Sequence, residues 1–196
     1  MSQSTLSYTI EEVSNPQSPH LMGMCCWLEK IFPEYAPPRF EALLTQLRRG
    51  NDRHEIQLFV ALIDDQVVGL VQVLYREWQQ GLMADIDLLG VLEPYRRLGL
   101  GSGLVQRSLL AAREIAVQYE RPAIGVVSLV DAHYDPVIRL HDKLGGQVRT
   151  DYSYPSGDTI VWYPLMDGFV NIETQVLAQQ LQQFGRLLER GLGIIA

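Results

Sequence analysis

The 196-residue chain reads as an α/β protein built on a mixed sheet with flanking helices. Apolar residues recur at helical spacing in some segments and run nearly unbroken over strand length in others. The resulting order is strand, two helices, three strands, helix, strand, helix, two strands. Hairpins therefore come early and late, with helical crossovers between them.

Residues 6–13 alternate weakly and predict the first strand, which Pro16 and Pro19 break. Residues 20–32 predict a helix, since Leu21, Met24, Trp27, Leu28 and Ile31 share one face. Residues 39–49 predict a second helix, with Phe40, Leu43, Leu44 and Leu47 on its apolar side and Gly50 at its end. The period then changes. Residues 56–63 and 67–75 read as a hairpin across Asp64, Asp65 and Gln66. A polar loop around Trp78, residues 76–81, leads into a strand over 82–91. Leu104, Val105, Ser108, Leu109, Ala112, Ile115 and Ala116 form the apolar face of a strong helix that ends before Pro122. Residues 123–130 predict a buried strand. Pro136 suits a first helical turn, and the helix runs over 137–144 until Gly145 and Gly146 stop it. Residues 147–154 and 159–165 predict two closing strands.

Beyond Gly168 the pattern shifts. Val170, Thr174, Leu177, Leu181, Phe184 and Leu188 make a heptad-like seam of about two and a half repeats. It reads as an amphipathic tail packing on its own domain or as a dimerisation helix. The seam is short for a coiled coil, which favours the first. The division expected is 1–167 and 168–196.

Composition narrows the class. A net charge of −7 supplies no basic stripe for nucleic acid. Cys25 and Cys26 are adjacent, which disfavours pairing, and their apolar surroundings suggest two buried thiols. No metal-ligand spacing is present. The N-terminal stretch lacks the features of a signal peptide, and no apolar run reaches membrane-spanning length. A cytoplasmic setting follows as the default expectation, with neither nucleic acid nor membrane as partner.

The chemistry concentrates at residues 91–104, VLEPYRRLGLGSGL. A glycine-rich turn opening a helix gathers backbone N–H groups and partial positive charge, a setting for phosphate. No lysine follows the glycines, which disfavours a nucleoside-triphosphate loop. Gly99 and Gly101 begin a dinucleotide fingerprint, but Leu104 stands at its last position, and the loop follows the fourth strand rather than the first.

The order of elements over roughly residues 6–165 and the run Arg96-Arg97-Leu98-Gly99-Leu100-Gly101 resemble the GNAT acetyltransferases, whose signature Arg/Gln-x-x-Gly-x-Gly/Ala lies between the fourth strand and the next helix. Pro94-Tyr95 also matches the family's habit. The resemblance implies a GNAT-like, mostly antiparallel sheet splayed between the fourth and fifth strands. It implies acetyl-CoA as acyl-donor co-substrate and no metal. Backbone N–H groups from Arg97 to Ser102, with Arg96 and Gly103 beside them, would hold the pyrophosphate. Leu89, Gly90 and Val91 would pair with the pantetheine arm, and an N–H near Leu89 would polarise the thioester carbonyl. Gly90 suits a bulge that opens the slot. On this reading 1–167 is an acyl-CoA N-acyltransferase domain and 168–196 a C-terminal helix for docking or a homodimer.

Acyl transfer to an amine needs a base for the amine and an acid for the thiolate. Asp85 and Asp87 alternate with Ala84, Ile86 and Leu88, so both carboxylates share a face and raise each other's pKa. Some GNAT enzymes carry a glutamate base eleven residues before the first loop Arg/Gln, which here is Asp85. The family's tyrosine acid, in a Leu-Tyr-Glu-Lys-Leu-Gly-Phe-like run, is replaced in Leu140-His141-Asp142-Lys143-Leu144-Gly145-Gly146 by His141. The asparagine seven residues earlier is replaced by Tyr134. An imidazolium can donate a proton; Tyr134, Tyr152 and Tyr154 are alternative donors. By family placement the acceptor, a small-molecule or peptide amine, would meet Glu29, Glu34, Tyr35, Tyr75, Glu77 and Trp78. The activity expected is acetyl transfer to a primary amine in a ternary complex, with a non-catalytic acyl-CoA-binding module as the alternative. An acetyltransferase acting on aminoacyl-tRNA is disfavoured by the charge, and an oligomeric scaffold would rest on the C-terminal seam alone.

Overall fold

A computed structural model describes residues 7–31, 33, 41, 44–45, 56–79, 81–151 and 157–191, with side chains as far as 182. Its elements are β1 Thr9–Glu12, α1 Leu21–Ile31, β2 Ile56–Ile63, β3 Gln66–Trp78, β4 Gly81–Val91, α2 Leu100–Gln118, β5 Ala123–Asp131, α3 Asp135–Lys143, β6 Gln147–Arg149, β7 Asp158–Pro164 and α4 Thr174–Gly191. Among the described residues the strands join one sheet in the order β1-β2-β3-β4-β5-β7-β6. β4 and β5 run parallel, while β1–β2, β5–β7 and β6–β7 are antiparallel. The mixed sheet and most elements stand as expected. Of the helix expected over 39–49, only Glu41, Leu44 and Thr45 are described, and they are helical.

The chain forms two compact units. The first comprises residues 1–73 and 88–108. Its core joins Met24, Trp27 and Leu28 of α1 to Leu58, Val60 and Leu62 of β2, Val67 and Leu70 of β3, and Leu88 of β4. Burying side chains of this size stabilises by about 1.5–3 kcal/mol each. The i, i+3, i+4 spacing of the three helix residues turns Cys25 to a half-buried position and Cys26 to the surface, so the expectation of two buried thiols is corrected. The β2–β3 turn places Asp64 and Asp65 at φ of 49° and 59°. Two consecutive left-handed residues give the mirror-image turn that matches strand twist, and aspartate tolerates that region.

The second unit comprises residues 74–87 and 109–196. Gly125 of β5 is required by the Trp162 ring, since a Cβ there would lie 2.2 Å from it. The indole N–H of Trp162 donates to the Phe169 carbonyl at 3.0 Å. Helix α4 buries Thr174, Leu177, Ala178 and Leu181 and packs on β7. These positions of the predicted seam face the helix's own chain.

Two expectations are corrected here. The loop over 76–81 is instead strand: β3 runs to Trp78, and Gln79 turns the chain at φ 53°. Trp78 explains it, being buried with its ring centroid 5.8 Å from that of Phe169. Arg76 and Glu77 are the inward and outward members of a strand, and they look like loop residues only by polarity. The strand expected over 147–154 ends at Arg149, where the Thr159 hydroxyl donates to its carbonyl at 2.7 Å. Residues 152–156 lie outside the described residues.

Candidate active site

The first unit carries the glycine-rich turn. The Leu92 N–H donates to the Val68 carbonyl at 2.8 Å, fixing the end of β4 against β3. A 3₁₀ turn over Glu93–Tyr95 follows, opened by Pro94. Arg97 and Gly99 then take left-handed backbone, φ 65° and 88°, and α2 begins at Leu100. Its first intrahelical bond to form a full turn is Gly103 N–H to Gly99 carbonyl, 2.9 Å. By helix geometry the N–H groups of Leu100, Gly101 and Ser102 lack an i−4 acceptor in that helix. They are the donors a pyrophosphate would use. The side chains divide the work. Arg96 folds back, its Nε donating to the Val91 carbonyl at 3.0 Å, and so clips the turn to the strand. Arg97, Leu98 and Gly99 are exposed, whereas Leu100 is buried and anchors the helix. Tyr8, to which the sequence assigns no role, lies over the turn: a Cβ on Gly103 would sit 2.8 Å from its hydroxyl. Nothing local to β1 signals that proximity.

Gly90 lies beyond the β4–β5 ladder, on the part of β4 that packs against α1. The register shift in the β4–β5 ladder falls between Leu82 and Met83. A Cβ at Gly90 would come within 2.8 Å of the Trp27 ring, so the glycine admits the indole against β4. The opening comes from the ladder's end. Pairing with β5 runs from Leu82 to Ile86 and stops, although β4 continues to Val91. Leu89 and Val91 are half-buried on that continuation.

The second unit carries the ionisable groups. Asp85 is 6 % exposed and Asp87 is half-buried. Burial pushes the Asp85 carboxyl well above the usual carboxylate range; the Asp87 charge pushes the same way and the Arg76 charge opposes. Arg76 is half-buried, its guanidinium donates to the Gln180 carbonyl, and burial lowers its pKa to about 10 against the pull of Asp85.

His141 is 0 % exposed. Its Nδ1 lies 2.7 Å from the Tyr163 hydroxyl, which donates to the His141 carbonyl at 3.2 Å. Burial lowers the imidazole pKa to about 4. The expected imidazolium donor is thus corrected: at neutral pH His141 is a neutral core residue. Gly146 makes the arrangement possible, since a Cβ there would meet the Tyr163 ring at 2.7 Å. Tyr134 caps α3 at its N-terminus and is 41 % exposed. Tyr152 and Tyr154 lie outside the described residues.

Among the acceptor residues, Glu29 is exposed on α1, where it accepts a weak Cys25 thiol contact at 3.9 Å. Tyr75 and Trp78 are buried within β3, and exposed Glu77 stands 3.7 Å from Arg121. Glu34 and Tyr35 lie outside the described residues. Among the described residues no group of three metal-ligating side chains assembles, and no helix is long and apolar enough to cross a membrane.

The model of the acetyltransferase (GNAT) family matches residues 21–145, more than half of the chain. The chain belongs to the GNAT family. An N-alpha-acetyltransferase of Sulfurisphaera tokodaii is 34% identical over 101 residues, which cover 47% of this chain and 57% of that relative. The chain thus matches little more than half the length of this curated GNAT relative. In structure it resembles Arabidopsis thaliana NAA60 in complex with acetyl-CoA, with a TM-score of 0.61 at 20% identity, covering 81% of this chain and 99% of the other. It also resembles an aminoglycoside acetyltransferase from an uncultured soil metagenomic sample in complex with sisomicin, with a TM-score of 0.58 at 19% identity, covering 75% and 94%. At these identities the likeness is one of fold, and it confirms the GNAT architecture.

Proposed function

We propose that the chain transfers an acetyl group from acetyl-CoA to a primary amine. The observation that carries this reading is the end of β4: a strand that leaves its ladder with β5 and turns through Arg97 and Gly99 into a helix whose first N–H groups have no acceptor within the helix. The donors fit a pyrophosphate, and the strand's tail fits an extended amide-bearing arm. Acetyl-CoA supplies an activated thioester. Leu100, Gly101 and Ser102 bind its phosphates through their N–H groups. The backbone at Leu89 offers an N–H to the thioester oxygen. Asp85, four residues earlier on the same strand, takes a proton from the acceptor ammonium and so frees the amine that attacks, with Asp87 beside it. A raised pKa suits that task, because a base works best when its pKa lies near the working pH. The new C–N bond forms as the C–S bond breaks, and the departing thiolate takes a proton from Tyr134 or water.

The named relatives act on different amines: the archaeal one is an N-alpha-acetyltransferase and the metagenomic one an aminoglycoside acetyltransferase. The acceptor proposed here is accordingly a primary amine, either peptide or small molecule. One observation favours the second reading, an acyl-CoA-binding module without turnover: His141, at the family's acid position, is buried and neutral.

A thiol-release assay with acetyl-CoA against peptides, polyamines, amino acids and aminoglycosides separates the two. Turnover on any amine supports the enzyme, whereas tight binding with no turnover supports the module. Gly101→Glu sets a carboxylate among the cradle N–H groups, and calorimetry should then show no coenzyme A binding. Unchanged affinity would remove the cradle from the account.

A further inference from the structure

Helix α4 lies wholly beyond the segment that the family model matches, which ends at residue 145. It is nevertheless tied closely to the second unit. Thr174 at its start donates to the Asp151 carboxylate at 2.8 Å. Leu177, Ala178 and Leu181 are buried along one face. From this docked helix the Gln180 carbonyl accepts the Arg76 guanidinium.

Arg76 is an unusual residue to find there. β3 is otherwise apolar on its buried positions from Val67 to Tyr75, apart from Gln72. A half-buried guanidinium loses hydration and must regain it from protein partners. The Gln180 carbonyl satisfies one donor and itself carries no formal charge. The compensating charge lies on the neighbouring strand. β3 and β4 are adjacent in the sheet, and only Gln79 and Gln80 separate Trp78 from Gly81. So short a link makes β3 and β4 neighbours in a hairpin, and across it the Arg76 charge acts on Asp85. The charged groups acting on Asp85 are Asp87 on its own strand and Arg76 on the next. On the other side β5 sets Val127 opposite it, with Ser128 donating to the Ile86 carbonyl at 3.2 Å. Helix α4 brings the carbonyl of Gln180. Arg76 is the cation in this set.

We propose that Arg76 is a positioning residue for Asp85, and that helix α4 holds Arg76 in place, so that the chain's own C-terminal helix governs the charge on the carboxylate. The inference rests on the reading of Asp85 as the base, and it deepens that reading. With Arg76 held beside it, the carboxylate form of Asp85 is favoured. With Arg76 released, burial and Asp87 act unopposed and the balance moves toward the protonated form. A helix serving only to cover the sheet would need no guanidinium at this point.

The test reads Asp85 directly, without turnover. The carboxyl carbons of protein labelled with ¹³C-aspartate are followed by NMR against pH, and the Asp85 signal is identified by its loss in Asp85→Asn. In Arg76→Gln the Asp85 midpoint should rise by about one pH unit. Arg76→Lys, which keeps the charge, should restore most of that shift. Leu181→Ala, which loosens the helix without touching either charged residue, should move the midpoint upward in part. In the assay, kcat/KM for Arg76→Gln should fall about tenfold at neutral pH and recover as pH rises. An unmoved midpoint in Arg76→Gln overturns the proposal. A midpoint that moves in Arg76→Gln but stays fixed in Leu181→Ala, while amide exchange in α4 quickens, overturns the role of the helix. Failure of the base reading is a different result: Asp85→Asn would keep full turnover while the Arg76 shift persisted.

Discussion

At the scale of single residues, two buried titratable groups that the sequence placed together in one reaction take different parts. Asp85 has charged neighbours of both signs, and burial raises its pKa above the ordinary carboxylate range. His141 has a phenol and a backbone carbonyl for company, and its pKa drops to about 4. Asp85→Asn should lower kcat by about 10²-fold or more while leaving affinity for acetyl-CoA unchanged; steady-state kinetics with calorimetry checks both. The distinction between the two groups was half legible. The count back from Arg96 found Asp85, because spacing along a strand and turn is fixed by the chain. His141 stood at the right place in its motif, but nothing local announces that Gly146 would let the Tyr163 ring reach it from β7.

At the scale of elements, the strands and helices with a clear period appear where the sequence placed them, since burial on one or both faces imposes that period. The misses share a cause. Arg76 and Glu77 look like loop residues by polarity, yet the strand continues because Trp78 must reach Phe169. The turn after Val91 was legible as a turn opening a helix, because glycine eases left-handed backbone, as at Gly99; that Arg97 takes it too was not legible. Gly90 was legible as special, and the structure adds a reason of its own: it leaves room for an indole. Gly90→Ala should therefore overpack the Trp27 contact and cost about 1–3 kcal/mol, read as a lower denaturation midpoint with an unchanged slope.

At the scale of the whole molecule, Asp85 and His141 pull stability in opposite directions with pH. His141 has a folded pKa of about 4, below its ordinary value of about 6.5. Its neutral burial contributes fully above about pH 6.5 and is lost as pH falls toward 4, by about 3 kcal/mol at most. Asp85 is raised, so its contribution is complete below its ordinary value of about 3.9 and is lost as pH rises through its folded pKa. Urea unfolding of the native protein and Asp85→Asn across pH 4–8 should show the variant gaining stability over the parent as pH rises. The variant should also show the His141 limb more plainly between 4 and 6.5; a flat limb there would mean that His141 is not buried neutral. The indole that Gly90 admits has a further use. Of the three tryptophans, Trp78 and Trp162 belong to the second unit and Trp27 to the first. With Trp78→Phe and Trp162→Phe, the remaining emission comes from a ring resting on the strand proposed to receive the donor. The protein would then carry its own optical gauge of occupancy, its fluorescence changing as acetyl-CoA is added and staying constant once Gly101→Glu is introduced as well.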